Sequence, residues 1–193
     1  QKEYRRYYTD GGVAEHLVGF TNIDDEGQEG LELAWDESLK GSAGAERVLR
    51  DGKRRMVKHV DNIRAPIPGQ DIRLTIDRRL QYLAYRELKA AVAQQKATSG
   101  SLVLLNAETG QLLAVANQPA FNPNDRSKIK ASHVRNRAFV DLFEPGSTMK
   151  PFTVAAGMES GVFDASTVID TNPGYMRVGR SQVRDHRNYG EID

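Results

Sequence analysis

Two apolar runs in the stretch SLVLLNAETGQLLAVANQ, residues 102–105 and 112–116, flank the polar, turn-like residues 106–110. A strand with one solvated face alternates apolar and polar residues, but here successive residues are apolar in both arms. The pair therefore reads as a hairpin covered on both faces, and the chain must supply a helix for each. One candidate starts behind Asp77, a residue suited to cap a helix running to about Gln95. Its apolar positions Leu80, Leu83, Ala84, Leu88, Ala91 and Val92 recur at helical spacing, with Arg78, Arg79, Arg86, Glu87 and Lys89 largely on the other side. The second candidate lies within FEPGSTMKPFTVAAGMESG, residues 143–161, with Gly161 as its stop. Ahead of the first helix, DIRLTID reads as a strand on the alternation of Ile72, Leu74 and Ile76.

Pro66, Pro68 and Gly69 fall close together in NIRAPIPGQD and break both helix and sheet. The spacing puts a domain boundary near residues 63–70, dividing the chain into 1–65 and 66–193. The first part reads as small and mixed: a strand over 16–20, a Gly-rich acidic loop, a short helix over 31–39 with Trp35 as a core anchor, then a hairpin. Asp51-Gly52 between strand-like arms predicts a tight type I′ turn, because that residue pair tolerates positive φ at both positions. Arg47, Arg50, Lys53, Arg54, Arg55 and Lys58 make this hairpin a charged, solvated face. No aromatic residues are interleaved among them, so nucleic-acid binding is not implied.

Lysine and arginine number 27 against 26 acids, a net charge of +1 that exerts no general pull toward polyanions. The absence of cysteine excludes disulfides, thiolate metal sites and a cysteine nucleophile. No apolar run reaches the roughly 18 residues that span a bilayer, and the opening QKEYRRYYTDGG reads as a cut boundary, with any export or anchoring segment lying outside it. His16, His59, His133 and His186 are scattered without ligand spacing and take surface or structural roles, and Asp185 beside His186 is not expected to form a working pair.

Chemistry concentrates at Ser147 and Lys150. Three residues apart on a helix, they share a face, with Cβ atoms about 5–6 Å apart. A serine hydroxyl needs a base to take its proton, and a lysine amine serves only when neutral. Met149, Phe152, Val154, Ala155 and Ala156 are expected to wall the amine off from water, since burial disfavours the charged form. A helix N-terminus acts in the same sense and favours a developing oxyanion. Pro145 and Gly146 mark a sharp entry, with Glu144 expected to fix that turn through backbone hydrogen bonds. Pro151 removes the N–H that would bond the carbonyl of Ser147, so either a distorted first turn or a regular helix that begins only within the motif is expected.

FEPGSTMKPF, with RNRAFVDLFEPGS around it, resembles the active-site segment of class B penicillin-binding proteins, the division-specific peptidoglycan D,D-transpeptidases of FtsI type. SGSLVLLNAETGQLLAVANQPAFNPND resembles the segment preceding it in that family, and RRYYTDGGVAEHLVGFTNIDDEGQEGLE is similar to the family's non-catalytic pedestal. The resemblance implies an α+β fold: part of a transpeptidase domain like that of penicillin-binding proteins and serine β-lactamases, an antiparallel sheet with helices on both faces, preceded by a small mixed pedestal. It implies Ser147 as the nucleophile acylated by the D-Ala-D-Ala end of a peptidoglycan stem peptide, or by β-lactams, with its own N–H as half of an oxyanion hole. Lys150 is then the general base. No cofactor, metal or nucleic acid is implied. The partners implied are stem peptides, β-lactam antibiotics, a SEDS-type glycosyltransferase (FtsW-like) and other divisome proteins, with the catalytic part in the periplasm and a membrane anchor at the inner membrane outside these residues.

The family's S-x-N and K-[ST]-G motifs occur nowhere in the 193 residues, and the nearest string, KATSG at 96–100, has the wrong spacing. The chain by itself is therefore expected to be an incomplete, inactive portion. Two other readings stay open: a serine β-lactamase or β-lactam sensor, and a non-enzymatic divisome scaffold.

Overall fold

The computed structural model describes residues 6–125, 127 and 129–192, and the chain falls into two units, Gln1–Asp141 and Leu142–Asp193. The first unit opens with a helical turn, α1 (Glu15–Val18), followed by β1 (Phe20–Thr21), which pairs antiparallel with β2 (Gly27–Glu29). The strand expected over 16–20 is thus mostly helix. Gly19, at φ +80°, ends the turn, and its N–H donates to the Glu15 carbonyl at 2.7 Å. The helix expected over 31–39 is two pieces, α2 (Gly30–Ala34) and α3 (Asp36–Lys40), separated at Trp35, whose φ of −121° is not helical. Asp36 accepts the Gly27 N–H at 2.7 Å and so ties the start of α3 to β2. Trp35 is 50% exposed and anchors no core.

The basic hairpin forms as read, β3 (Ala45–Arg50) against β4 (Met56–Arg64), with a different turn. Gly52 is not at positive φ; Arg54 is, at +61°. The Arg54 N–H donates to the Asp51 carbonyl, the Asp51 N–H donates to the Arg55 carbonyl, and the Asp51 side chain accepts the N–H groups of Lys53 and Arg55, each at 2.9 Å. A three-residue loop of this kind, a type I turn closed by a left-handed residue, wins because the aspartate satisfies two loop amides that a two-residue turn would not contain.

Residues 71–77 contain no regular strand. They touch the sheet edge at two points, Thr75 Oγ1 donating to the Leu112 carbonyl at 2.6 Å and the Asp77 N–H to that of Leu113 at 2.9 Å. Helix α4 (Arg78–Gln94) follows, capped by the Asp77 carboxylate, which accepts the N–H groups of Arg79 and Leu80. Its inner face is Leu80, Gln81, Ala84, Tyr85, Leu88 and Val92, whereas Leu83 and Ala91 are exposed. Ala84, Leu80, Tyr85 and Leu88 pack with Ala114 and Ala116 of β6 (Leu112–Gln118) and Leu102 of β5 (Gly100–Leu105). Gly100 allows this close approach, since a Cβ there would stand 2.8 Å from Val92 Cγ2.

β5 and β6 pair antiparallel around a turn in which Asn106 accepts the N–H groups of Glu108 and Thr109 and Gly110 sits at φ +71°. In β6 residues 114–118 are buried in succession, so both faces of that strand are covered as expected. In β5 Val103, Leu104 and Leu105 are exposed, so cover is complete on one arm only. Two short helices, α5 (Ala131–Val134) and α6 (Arg137–Val140), complete this unit, α6 touching both β5 and β6.

The second unit holds a 3-10 turn (Gly146–Met149), α7 (Lys150–Glu159), and two small antiparallel ladders, β8 (Tyr175–Val178) with β9 (Ser181–Arg184) and β7 (Ile169–Asp170) with β10 (Glu191–Ile192). Asp185 and His186 are both exposed here. The fold class is α+β, and every strand pair named is antiparallel.

Candidate active site

Ser147 and Lys150 occupy the junction between two kinds of helix. Gly146, at φ +55°, makes the sharp entry that Pro145-Gly146 announces. Ser147 lies within the 3-10 turn, and Lys150 is the first residue of α7. In a regular α-helix residue 151 would donate to the Ser147 carbonyl, but Pro151 has no N–H. The Lys150 N–H takes that carbonyl instead, and the expected distortion is this local 3-10 winding. In 3-10 geometry residues i and i+3 eclipse, the winding that would place Ser147 and Lys150 on one side of the turn. Thr148 secures the entry by donating its N–H to the Pro145 carbonyl at 3.2 Å, and Thr153 Oγ1 donates to the Met149 carbonyl at 3.3 Å. Ser147 is at the second position of its turn, where an N–H has no intrahelical acceptor.

The expected enclosure of the amine is not formed. Lys150 is exposed, as are Met149 at 48%, Phe152 at 69% and Val154 at 60%. Residues i+2 to i+6 on one helix run all round its axis, so a single helix cannot bury its own first turn; the wall must come from other elements. Among the described residues no cluster of three or more His, Asp or Glu could hold a metal ion, and no helix is long and apolar enough to cross a membrane.

In the first unit the structure shows a part-buried polar network, centred on the buried Asn117, that sequence reading did not single out. The His16 backbone carbonyl accepts Asn136 Nδ2 at 3.1 Å, Asn136 Oδ1 accepts Asn117 Nδ2 at 2.9 Å, and Asn117 Oδ1 accepts Ser101 Oγ at 2.7 Å and the Ala138 N–H at 2.9 Å. His16 Nε2 donates to the His133 carbonyl at 2.7 Å, and the ring meets Phe121 edge-on at 5.3 Å. That bond leaves Nδ1 facing Glu15 Oε1 at 3.0 Å. Burial pushes the Glu15 carboxyl up from its ordinary range. Further along, hydrogen bonding to Arg137 holds the Asp141 carboxyl below the usual range, aided by Arg135 at 2.5 Å. The signal for these positions was the string RNRAFV, which carries no chemistry visible without its partners.

Against this geometry stand the comparisons with known proteins. Residues 100–192 match the pattern of the penicillin binding protein transpeptidase domain, and residues 1–74 that of the penicillin-binding protein dimerisation domain. The chain is 44% identical to the probable peptidoglycan D,D-transpeptidase PenA of Neisseria meningitidis over 195 residues, covering 100% of this chain and 33% of that protein. It is 41% identical to the peptidoglycan D,D-transpeptidase FtsI of Escherichia coli over 192 residues, again 100% of this chain and 32% of that one. Among solved structures, penicillin binding protein 3 of Mycobacterium tuberculosis superposes with a TM-score of 0.80 at 28% identity, over 97% of this chain and 39% of that chain. The chain thus spans about a third of the length of the curated relatives it matches.

Proposed function

Since the chain belongs to the penicillin-binding proteins, we propose that Ser147 is the nucleophile, and Lys150 the general base, of a peptidoglycan D,D-transpeptidase whose whole length exceeds the residues described. The observation that carries this reading is the 3-10 junction, where the Lys150 N–H donates to the Ser147 carbonyl, the winding in which residues i and i+3 share a side of the turn. In the reaction, Lys150 takes the proton from Ser147 as its oxygen attacks the carbonyl of the penultimate D-Ala of a stem peptide. The terminal D-Ala leaves carrying a proton, and an amine of a neighbouring stem peptide attacks the resulting ester, returning the serine hydroxyl and forming the cross-link. A β-lactam enters by the same attack, its ring opening to the acyl-enzyme. The Ser147 N–H, free of an intrahelical acceptor, is one oxyanion donor.

The neutral amine this scheme needs requires a dry wall over α7, and we assign that wall to the remainder of the longer protein. Residues 1–65 are the pedestal and 66–193 the opening portion of the transpeptidase domain. The protein works at the periplasmic side of a bacterial inner membrane during septal wall synthesis, held by an anchor outside these residues, with a SEDS-type glycosyltransferase and other divisome proteins as partners. The match of residues 1–74 to the dimerisation domain favours this reading over a β-lactamase.

The test is the rate of acylation of the full-length protein by a labelled penicillin. Lys150→Met is expected to lower it by about 10² to 10⁴, the usual worth of a general base, with a thermal melt of the variant as the check on folding. Unchanged acylation in that variant would overturn the assignment.

A further inference from the structure

The tip of the β3–β4 hairpin is basic and apolar at once. Residues 49–58 carry five basic side chains, Arg50, Lys53, Arg54, Arg55 and Lys58, against one acid, in a chain whose net charge is only +1. That acid, Asp51, is engaged with Arg55 Nε at 3.0 Å and with two loop amides, so it does not offset the other four. Beside them Leu49, Met56 and Val57 stand 55%, 57% and 67% exposed. The cross-strand register sets Leu49 opposite Lys58 and Arg50 opposite Met56, so apolar and cationic side chains are interleaved on the same end of the ladder. Every residue of β4 is exposed.

A charged face that served only solubility would not expose three large apolar side chains among its cations. A nucleic-acid face would carry aromatic stacking residues, and the tip has none. Interleaved Lys/Arg and aliphatic residues suit a surface that is anionic outside and apolar just beneath, where each basic side chain gains attraction and the apolar ones leave water. We propose that this hairpin tip docks on an anionic lipid surface. Two such tips would repel one another, which disfavours a second copy meeting this one tip to tip. The proposal does not depend on Ser147 or Lys150.

The probe is cosedimentation of the protein with vesicles of phosphatidylglycerol and phosphatidylcholine in equal amounts, compared with pure phosphatidylcholine. Binding is expected only to the anionic vesicles and is expected to weaken as salt is raised. Arg50→Glu, Lys53→Glu and Lys58→Glu together avoid the Asp51–Arg55 turn and are expected to weaken binding about a hundredfold or more, with an unchanged thermal melt as the check on folding. Met56→Ser with Val57→Ser is expected to weaken it about tenfold. Equal binding to neutral vesicles, or full binding by either variant, would overturn the proposal. So would binding to soluble polyglutamate with none to vesicles, which would point to an acidic protein instead.

Discussion

Gln81 joins three segments with one side chain. Its amide donates to the Val13 and Val115 carbonyls at 2.7 Å each, and its oxygen accepts the Val115 N–H at 2.8 Å. Helical periodicity counts such a glutamine as polar and therefore outward, and no pattern in the sequence announces that both strand groups lie within its reach. Gln81→Leu is expected to cost roughly 3 kcal/mol, since buried groups left without partners cost about 1–3 kcal/mol each; urea denaturation measures it. Glu15 supplies a pH signature of definite sign. Its folded-state pKa is raised by burial, so its contribution is fully present below the ordinary carboxylate pKa and is lost as pH rises through the elevated value. Denaturation midpoints measured across that window should fall with pH, and Glu15→Gln should flatten the slope. Asp77 and Asp141 act in the other direction, their lowered pKa values making a contribution that disappears only as pH falls below the ordinary range.

Helix α4 was legible almost to the residue because its signals are local: an aspartate positioned to accept the first amides, and an apolar stripe repeating every three to four residues. Asp77→Ala is expected to cost about 1 kcal/mol by thermal melting. The β5–β6 hairpin was legible for the same reason, with its turn written in Asn106 and Gly110. Gly110→Ala is expected to cost about 1 kcal/mol through its positive φ. What local signals do not contain is competition. The Asp51-Gly52 pair favours a type I′ turn in isolation, but the carboxylate found more donors in a longer loop. Residues 71–77 alternate like a strand, yet only two of their groups reach the sheet edge. At the candidate site the proline-forced change of winding was readable from Pro151 alone. The exposure of Lys150 was not, because enclosure depends on elements distant in sequence.

For the molecule as a whole, the exposed apolar positions Met149 of the 3-10 turn and Phe152, Val154 and Met158 of α7 mark what the described residues leave uncovered. Lys150 is exposed in the described residues, so the 193-residue chain alone is expected to form no stable acyl-enzyme with a fluorescent penicillin, while the full-length protein is expected to form one. Stoichiometric labelling of the short chain would show that the wall is dispensable. The claim on which the rest depends is that the oxygen of Ser147 forms the covalent bond. Its most direct test is mass spectrometry of the full-length protein after incubation with penicillin and proteolysis. The account predicts one penicilloyl adduct, on the peptide bearing Ser147, that vanishes in Ser147→Ala; an adduct on a different residue, or one that persists in that variant, would contradict it.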